Sequence, residues 1–246
     1  MRSFFAMERK DGLLEIRGQD ARHIASVLRM KPKDALTAVL PAGDRAYCVI
    51  ESISEDTVLM RPVSVVKDDS EAHLRITLLQ AIPKGQKMDY IVEKCTELGF
   101  SRIVPVISRY CVAREASSGK LNRWRSLAHE AAKQSGRGSV PEVSDVTSLE
   151  AALSEAAEGG AFIIFLWENE KLNGLSGCAG SIKGAGDVVL VVGPEGGFSE
   201  EEAELARAKG AYVAGLGPRI LRTETAPVAA GAVVLYIAGE LGPRIE

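Results

Sequence analysis

Beyond residue 74 the chain alternates two hydrophobic patterns, and that alternation leaves few folds open to it. Residues 161–166, 188–192 and 211–216 are nearly continuous apolar runs, as strands are when a sheet is covered on both faces. Before and between them lie segments with a helical period. Residues 86–98 put Met88, Ile91, Val92, Cys95 and Leu98 on one face and stop at Gly99, a residue suited to a helix C-terminus. Residues 121–134 do the same with Leu121, Trp124, Leu127, Ala128 and Ala131. Ser199 and Glu202 form a capping-box pair for a helix that ends at Gly210, and a last helix is expected over 227–239. With further strands over 74–82 and 102–107, the pattern predicts an α/β fold around a parallel sheet.

The first 66 residues read differently. Short strands over 13–16, 35–40, 47–53 and 58–66, broken by Pro41-Ala42-Gly43-Asp44 and Glu55-Asp56, predict a small, mostly β barrel. One helix interrupts it, with Asp20 as N-cap and Ile24, Val27, Leu28 and Lys31 at helical spacing. The polar stretch Lys67-Asp68-Asp69-Ser70-Glu71 has no apolar period and reads as the linker between two domains. Gly159-Gly160 and the glycine-rich residues 174–186 read as surface connections.

With 246 residues, 46% hydrophobic and 26% charged, the chain has an ordinary globular composition. Its longest apolar candidates, 188–192 and 227–238, fall well short of the roughly 20 residues that span a bilayer. Phe4 to Met7 is too brief an apolar run for a signal peptide, which points to a cytoplasmic chain starting near Met1. Four cysteines and three histidines lie without ligand spacing, so neither a metal site nor a disulfide framework is expected. The net charge of -3 is unevenly spread. Between Arg75 and Arg137 twelve basic residues face five acidic ones, a local charge of +7 that leaves -10 for the rest. A polyanion would be drawn to that region, unless its charges only form a solvated, salt-bridged face.

The sharpest motif is Gly193-Pro194-Glu195-Gly196-Gly197-Phe198, placed directly after a buried strand and before a capped helix. Glycines there let a backbone approach a ligand, although a tight turn without a ligand would also use them. No Gly-Lys-Ser/Thr follows, so it is not a triphosphate loop. A second loop, Gly215-Leu216-Gly217-Pro218-Arg219, follows the next strand, and Leu216, Ile220 and Leu221 could contact the flat ring of an adenosine. Arg219, Arg222 and Glu224 stand among apolar residues, where an arginine could hold a phosphate or an oxyanion, or Arg222 could simply pair with Glu224. Lys84 and Lys87 mark the end of the strand over 74–82. Lys120, Arg123, Lys133 and Arg137 are expected to face outward from the helix over 121–134, as candidates for RNA phosphates, and Trp124 to face the core. His23 and Arg29 lie on the helix of the small domain.

Taken in order, His23-Ile24-Ala25-Ser26-Val27-Leu28-Arg29, Lys84-Gly85-Gln86-Lys87-Met88-Asp89, Lys94-Cys95-Thr96-Glu97-Leu98-Gly99, Arg123-Trp124, Glu130-Ala131-Ala132-Lys133-Gln134-Ser135, the Gly193 motif, and Leu216-Gly217-Pro218-Arg219-Ile220-Leu221-Arg222-Thr223-Glu224-Thr225-Ala226 closely resemble the bacterial RsmE family. These are small-subunit (16S) ribosomal RNA (uracil-N3)-methyltransferases of the SPOUT superfamily. The resemblance covers nearly the whole chain, least over residues 144–186. It implies a PUA-like RNA-binding barrel over 1–68 and a SPOUT methyltransferase domain over 74–246, its chain end threaded into a trefoil knot. It also implies a homodimer that acts on the assembled or assembling 30S subunit. S-adenosylmethionine would lie against Leu166, Trp167, Gly193, Pro194, Glu195, Gly196, Gly197, Leu216, Gly217, Ile220, Leu221, Arg222, Thr225 and Ala226. Catalysis would rest on Arg219, Arg222 and Glu224, and RNA contacts on His23, Arg29, Lys84, Lys87, Arg123, Lys133 and Arg137. Two other readings stay open: an RNA-binding assembly factor without catalysis, and a SPOUT enzyme that modifies transfer RNA or a ribose 2′-hydroxyl.

Overall fold

The computed structural model describes residues 3–68, 70–113 and 115–242, and its contacts divide the chain into two compact units. The first comprises residues 1–71 together with 132–140, and the second comprises 72–131 and 141–246.

In the first unit, β1 (Ser3–Phe5), β2 (Met7–Glu8), β3 (Leu14–Arg17), β4 (Ala35–Val39), β5 (Arg45–Ile53) and β6 (Thr57–Val66) form one sheet in the order β1-β4-β5-β6-β3-β2. β1 and β2 are successive pieces of one segment, the first parallel to β4 and the second antiparallel to β3. A single stretch of chain thus lines both edges, and the sheet curls into a nearly closed barrel. Alternation directs the inward side chains: Ala46, Cys48 and Ile50 of β5 and Val58 and Met60 of β6 are buried with Phe4, Ile16, Ile24 and Ala38. The helix expected after Asp20 starts earlier and is shorter. α1 spans Gln19–Arg22 from Gly18, with no side-chain cap, and runs into a π-helical turn over His23–Val27. Asp20 does not cap it, because its buried carboxylate is engaged by the Lys133 ammonium. Lys31 lies past the end of the turn.

In the second unit seven strands run parallel: β7 (Arg75–Ala81), β8 (Arg102–Ile107), β9 (Glu142–Val143), β10 (Thr147–Ser148), β11 (Phe162–Leu166), β12 (Asp187–Val192) and β13 (Tyr212–Ala214). Their order is β10-β8-β7-β12-β11-β13, with β9 also on β8. The connecting helices are α2 (Lys87–Glu97), α3 (Ser118–Ser135), α4 (Leu149–Glu158), α5 (Ala179–Gly184), α6 (Glu200–Ala208) and α7 (Ala226–Ala238). The central strands are largely buried, with Ile76, Leu78, Ile164, Phe165, Leu190 and Val191 at or near zero exposure. The expected capping box is present: Glu202 N–H donates to Ser199 Oγ and Ser199 N–H to Glu202 Oε2. The glycine-rich connection over 174–186 is a structural element instead. A 3-10 turn (Leu175–Cys178) leads into α5, and Leu175, Cys178 and Ile182 are buried, with α5 packed on α7.

Among the described residues no helix is long and apolar enough to cross a membrane, and no histidine, cysteine and acidic side chains cluster as metal ligands would.

Candidate functional site

Because the strands are parallel, their carboxyl ends share one edge, and registers of Val192 with Gln80, Phe165 with Val191 and Leu166 with Ala214 bring those ends level. Ligands of open α/β sheets bind in that crevice. A cavity of about 500 Å³ opens there, lined by the loops after β11, β12 and β13 and by Lys87 of α2. Leu166, Val192, Leu216, Ile220, Leu221 and Ala226 form its apolar wall, and Gly193, Gly196, Gly197 and Gly217 expose backbone to it.

Two of these glycines resist replacement for different reasons. Gly197 has φ +66°, a backbone that L side chains rarely adopt, and the Glu168 carboxylate occupies the space its Cβ would take. Gly196 lies against Tyr110, whose own Cβ would be 2.9 Å from an added one. Beneath the loop a short relay joins the ends of β7 and β12 to the loop before α7. The Thr223 hydroxyl donates to the Gly193 carbonyl at 2.6 Å, and the fully buried Gln80 Nε2 donates to Thr223 Oγ1 at 3.1 Å. Trp167 Nε1 donates to the Phe198 carbonyl at 3.1 Å, tying the β11 end to the far side of the same loop.

Charge is arranged around the cavity mouth. Glu195 accepts from Lys87 Nζ at 2.7 Å and from the Lys84 backbone N–H at 3.1 Å. Burial works against the Glu195 carboxylate, but those donors outweigh it and hold its pKa below the ordinary value, while the hydrogen bond to Glu195 raises that of Lys87. Arg219 and Arg222 are exposed, and Arg222 reaches Glu224 only at 3.9 Å.

The expected cofactor residues converge here with one exception. Thr225 is exposed at the start of α7 and does not line the cavity. Of the expected catalytic residues, Arg219 and Arg222 line it, whereas Glu224 stands behind the wall with its Oε2 buried, without a hydrogen bond, 3.6 Å from Lys87 Nζ.

The expected RNA-binding set is divided. Lys87 belongs to the cavity. Lys133 and Arg137 do not face outward as expected: Lys133 is paired with Asp20, and Arg137 is buried and bonded to Glu71 at 2.6 Å. Arg123 is exposed beside Asp89 at 2.8 Å, and Asp89 also accepts from Trp124 Nε1, which is in the core as expected. Arg29 and Lys84 are exposed, and the partly buried His23 ring lies 6.1 Å from that of Phe4. Glu168, Lys171, Val192 and Thr223 line the cavity without having been picked out. Glu168 carried a signal, since it stands two residues past a buried strand whose carboxyl end faces the crevice.

Comparison with known proteins bears on this geometry. An RNA methyltransferase domain model matches residues 70–235, and an RNA methyltransferase PUA domain model matches 16–63. The ribosomal RNA small subunit methyltransferase E of Bacillus subtilis is 32% identical over 90% of this chain and 89% of its own length. The chain belongs to the RsmE family. Its Aquifex aeolicus member is also 32% identical, over 96% of this chain and 99% of its own. The crystal structure of the Neisseria gonorrhoeae RsmE bound to S-adenosylmethionine superposes with a TM-score of 0.82 at 32% identity, covering 96% of this chain and 98% of that one. The barrel is accordingly the PUA domain of an RsmE protein, and the parallel sheet carries its methyltransferase domain.

Proposed function

We propose that this protein transfers a methyl group from S-adenosylmethionine to N3 of a uridine in small-subunit (16S) ribosomal RNA. We further propose that it works in the cytoplasm as a homodimer on the assembled or assembling 30S subunit. The observation that carries the reading is the cavity of about 500 Å³ at the carboxyl edge of the sheet, floored by glycine backbone and walled by apolar side chains. The flat adenosine of the cofactor fits that wall, and the exposed backbone supplies the polar contacts a purine and a ribose require. The relative bound to S-adenosylmethionine supports the same reading. A trefoil knot is part of the proposal, supported by membership of the RsmE family.

S-adenosylmethionine supplies an electrophilic methyl group on a sulfonium. The protein must then make uridine N3 a nucleophile. N3 loses its proton to water at the cavity mouth, and the resulting charge spreads over O2 and O4, where the guanidinium groups of Arg219 and Arg222 stabilise it. Glu224 and Glu195 hold Lys87 between them, and Arg222 stands exposed at the mouth, 3.9 Å from Glu224. What remains is in-line approach, a matter of positioning. Exposed cations such as Arg29, Lys84 and Arg123 grip flanking phosphates while one nucleotide turns out of the RNA into the cavity.

Incubation of 30S subunits with methyl-labelled cofactor tests this. The wild-type chain should incorporate label at a rate that rises with pH as N3 ionises. Arg219→Ala, at a cavity residue outside the expected cofactor set, should bind cofactor normally by calorimetry yet transfer at least about ten-fold more slowly, as loss of one charge-stabilising donor implies. No incorporation by a folded wild-type chain that binds cofactor would reject the catalytic reading in favour of an assembly factor.

A further inference from the structure

The cavity wall carries one acidic group that the proposed chemistry leaves unused. Four lining residues are cationic, Lys87, Lys171, Arg219 and Arg222, and two are acidic, Glu168 and Glu195. Glu195 is neutralised by Lys87 at 2.7 Å. Lys171 turns its ammonium to the backbone carbonyl of Glu168. The Glu168 carboxylate itself has no hydrogen-bond or ion-pair partner among the described residues, although cations stand around the same cavity.

Its backbone is nonetheless placed at the cavity by the fold. Glu168 follows β11 and Trp167, whose indole is pinned to the Phe198 carbonyl. Its carboxylate occupies the space that a side chain at residue 197 would take, so Gly197 yields both a left-handed backbone and the room in which that carboxylate sits. An uncompensated carboxylate in a cavity repels phosphates and other anions and favours a ligand that brings positive charge. The methyl donor has such charge on its sulfonium and its α-ammonium.

We infer that Glu168 is a specificity-determining residue that binds the cationic end of the methyl donor and selects it over neutral adenosine thioethers of similar shape. The inference rests on the reading of the cavity as an S-adenosylmethionine site. It divides the cavity by charge: Glu168 serves the donor, and Arg219 and Arg222 serve the base that becomes an anion.

Calorimetry on the full chain with two ligands tests it: S-adenosylmethionine, and 5′-methylthioadenosine, which keeps the adenine, ribose and thioether but carries neither positive charge. Glu168 is exposed, so Glu168→Gln should leave the fold intact. The variant should bind S-adenosylmethionine about ten-fold more weakly, the loss expected for one charge-assisted hydrogen bond. Its affinity for 5′-methylthioadenosine should be unchanged, and Glu168→Asp should recover part of the lost binding. Equal loss for both ligands would mean that the carboxylate serves the ribose hydroxyls or the loop, and would overturn the inference, as would no loss for either. A folded wild-type chain that binds neither ligand would instead sink the cofactor reading, and this inference with it.

Discussion

At the scale of single residues, Gly197 joins backbone conformation to ligand choice. Its φ of +66° costs any other L-residue about 1–2 kcal/mol, and its missing side chain leaves room for the Glu168 carboxylate. Gly197→Ala should therefore lower stability by about that much and also push the carboxylate off the wall. Cofactor affinity should fall by about as much as in Glu168→Gln, since both changes displace the same charge. Combined with Glu168→Gln, it should weaken binding by clearly less than the product of the two separate effects, which a double-mutant cycle measured by calorimetry would reveal. Multiplicative losses would mean that the two residues act independently.

Elements were legible in the sequence where their signals are local, and opaque where partners are distant. The Ser199–Glu202 capping box spans four residues and is present as expected. The Lys133 ammonium finds Asp20, 113 positions away, and Arg137 finds Glu71, 66 away. Helical spacing assigned both cations to an outer face, because the acids that draw them in are invisible to any short window. Residues 174–186 differ from the expected surface connection because glycine content masks the spacing of Leu175, Cys178 and Ile182, which α7 and its neighbours bury. α7 itself packs closely: a Cβ on Gly231 would lie 2.5 Å from the Phe100 ring. Gly231→Ala should overpack that contact and lower stability by about 1–3 kcal/mol, visible as an earlier thermal or urea transition. Equal stability would show that Phe100 can move aside. Glu71 plays a similar joining part within the first unit, accepting from Arg137 and from the backbone N–H groups of Gly138 and Ser139. Burial opposes its ionisation, but Arg137 and the other donors prevail and hold its pKa below the unfolded value of 4.5. A depressed carboxylate stabilises the fold above the unfolded pKa and loses that contribution as pH falls through the folded one. The stability difference between wild type and Glu71→Gln should thus be full at neutral pH and shrink below 4.5. A difference independent of pH would contradict the ionic account.

For the molecule as a whole, a barrel of the PUA type and a parallel-sheet methyltransferase domain occupy one chain whose positive charge is concentrated between Arg75 and Arg137. Part of that charge is consumed internally, by Asp20, Glu71 and Glu195 among others, so the surface available to RNA is smaller than the sequence suggests. The site was legible as a ligand crevice from two glycine loops after buried strands. Uridine as the target base and N3 as the target atom were not, because no residue spacing encodes them and only family membership points to them. The measurement closest to the central claim identifies the modified nucleoside. Small subunits from a strain lacking the enzyme are incubated with labelled S-adenosylmethionine and this protein, and the RNA is digested for mass spectrometry. Label in 3-methyluridine of the small-subunit RNA is the predicted result; label in 2′-O-methyl nucleosides, in transfer RNA alone, or nowhere, would contradict it.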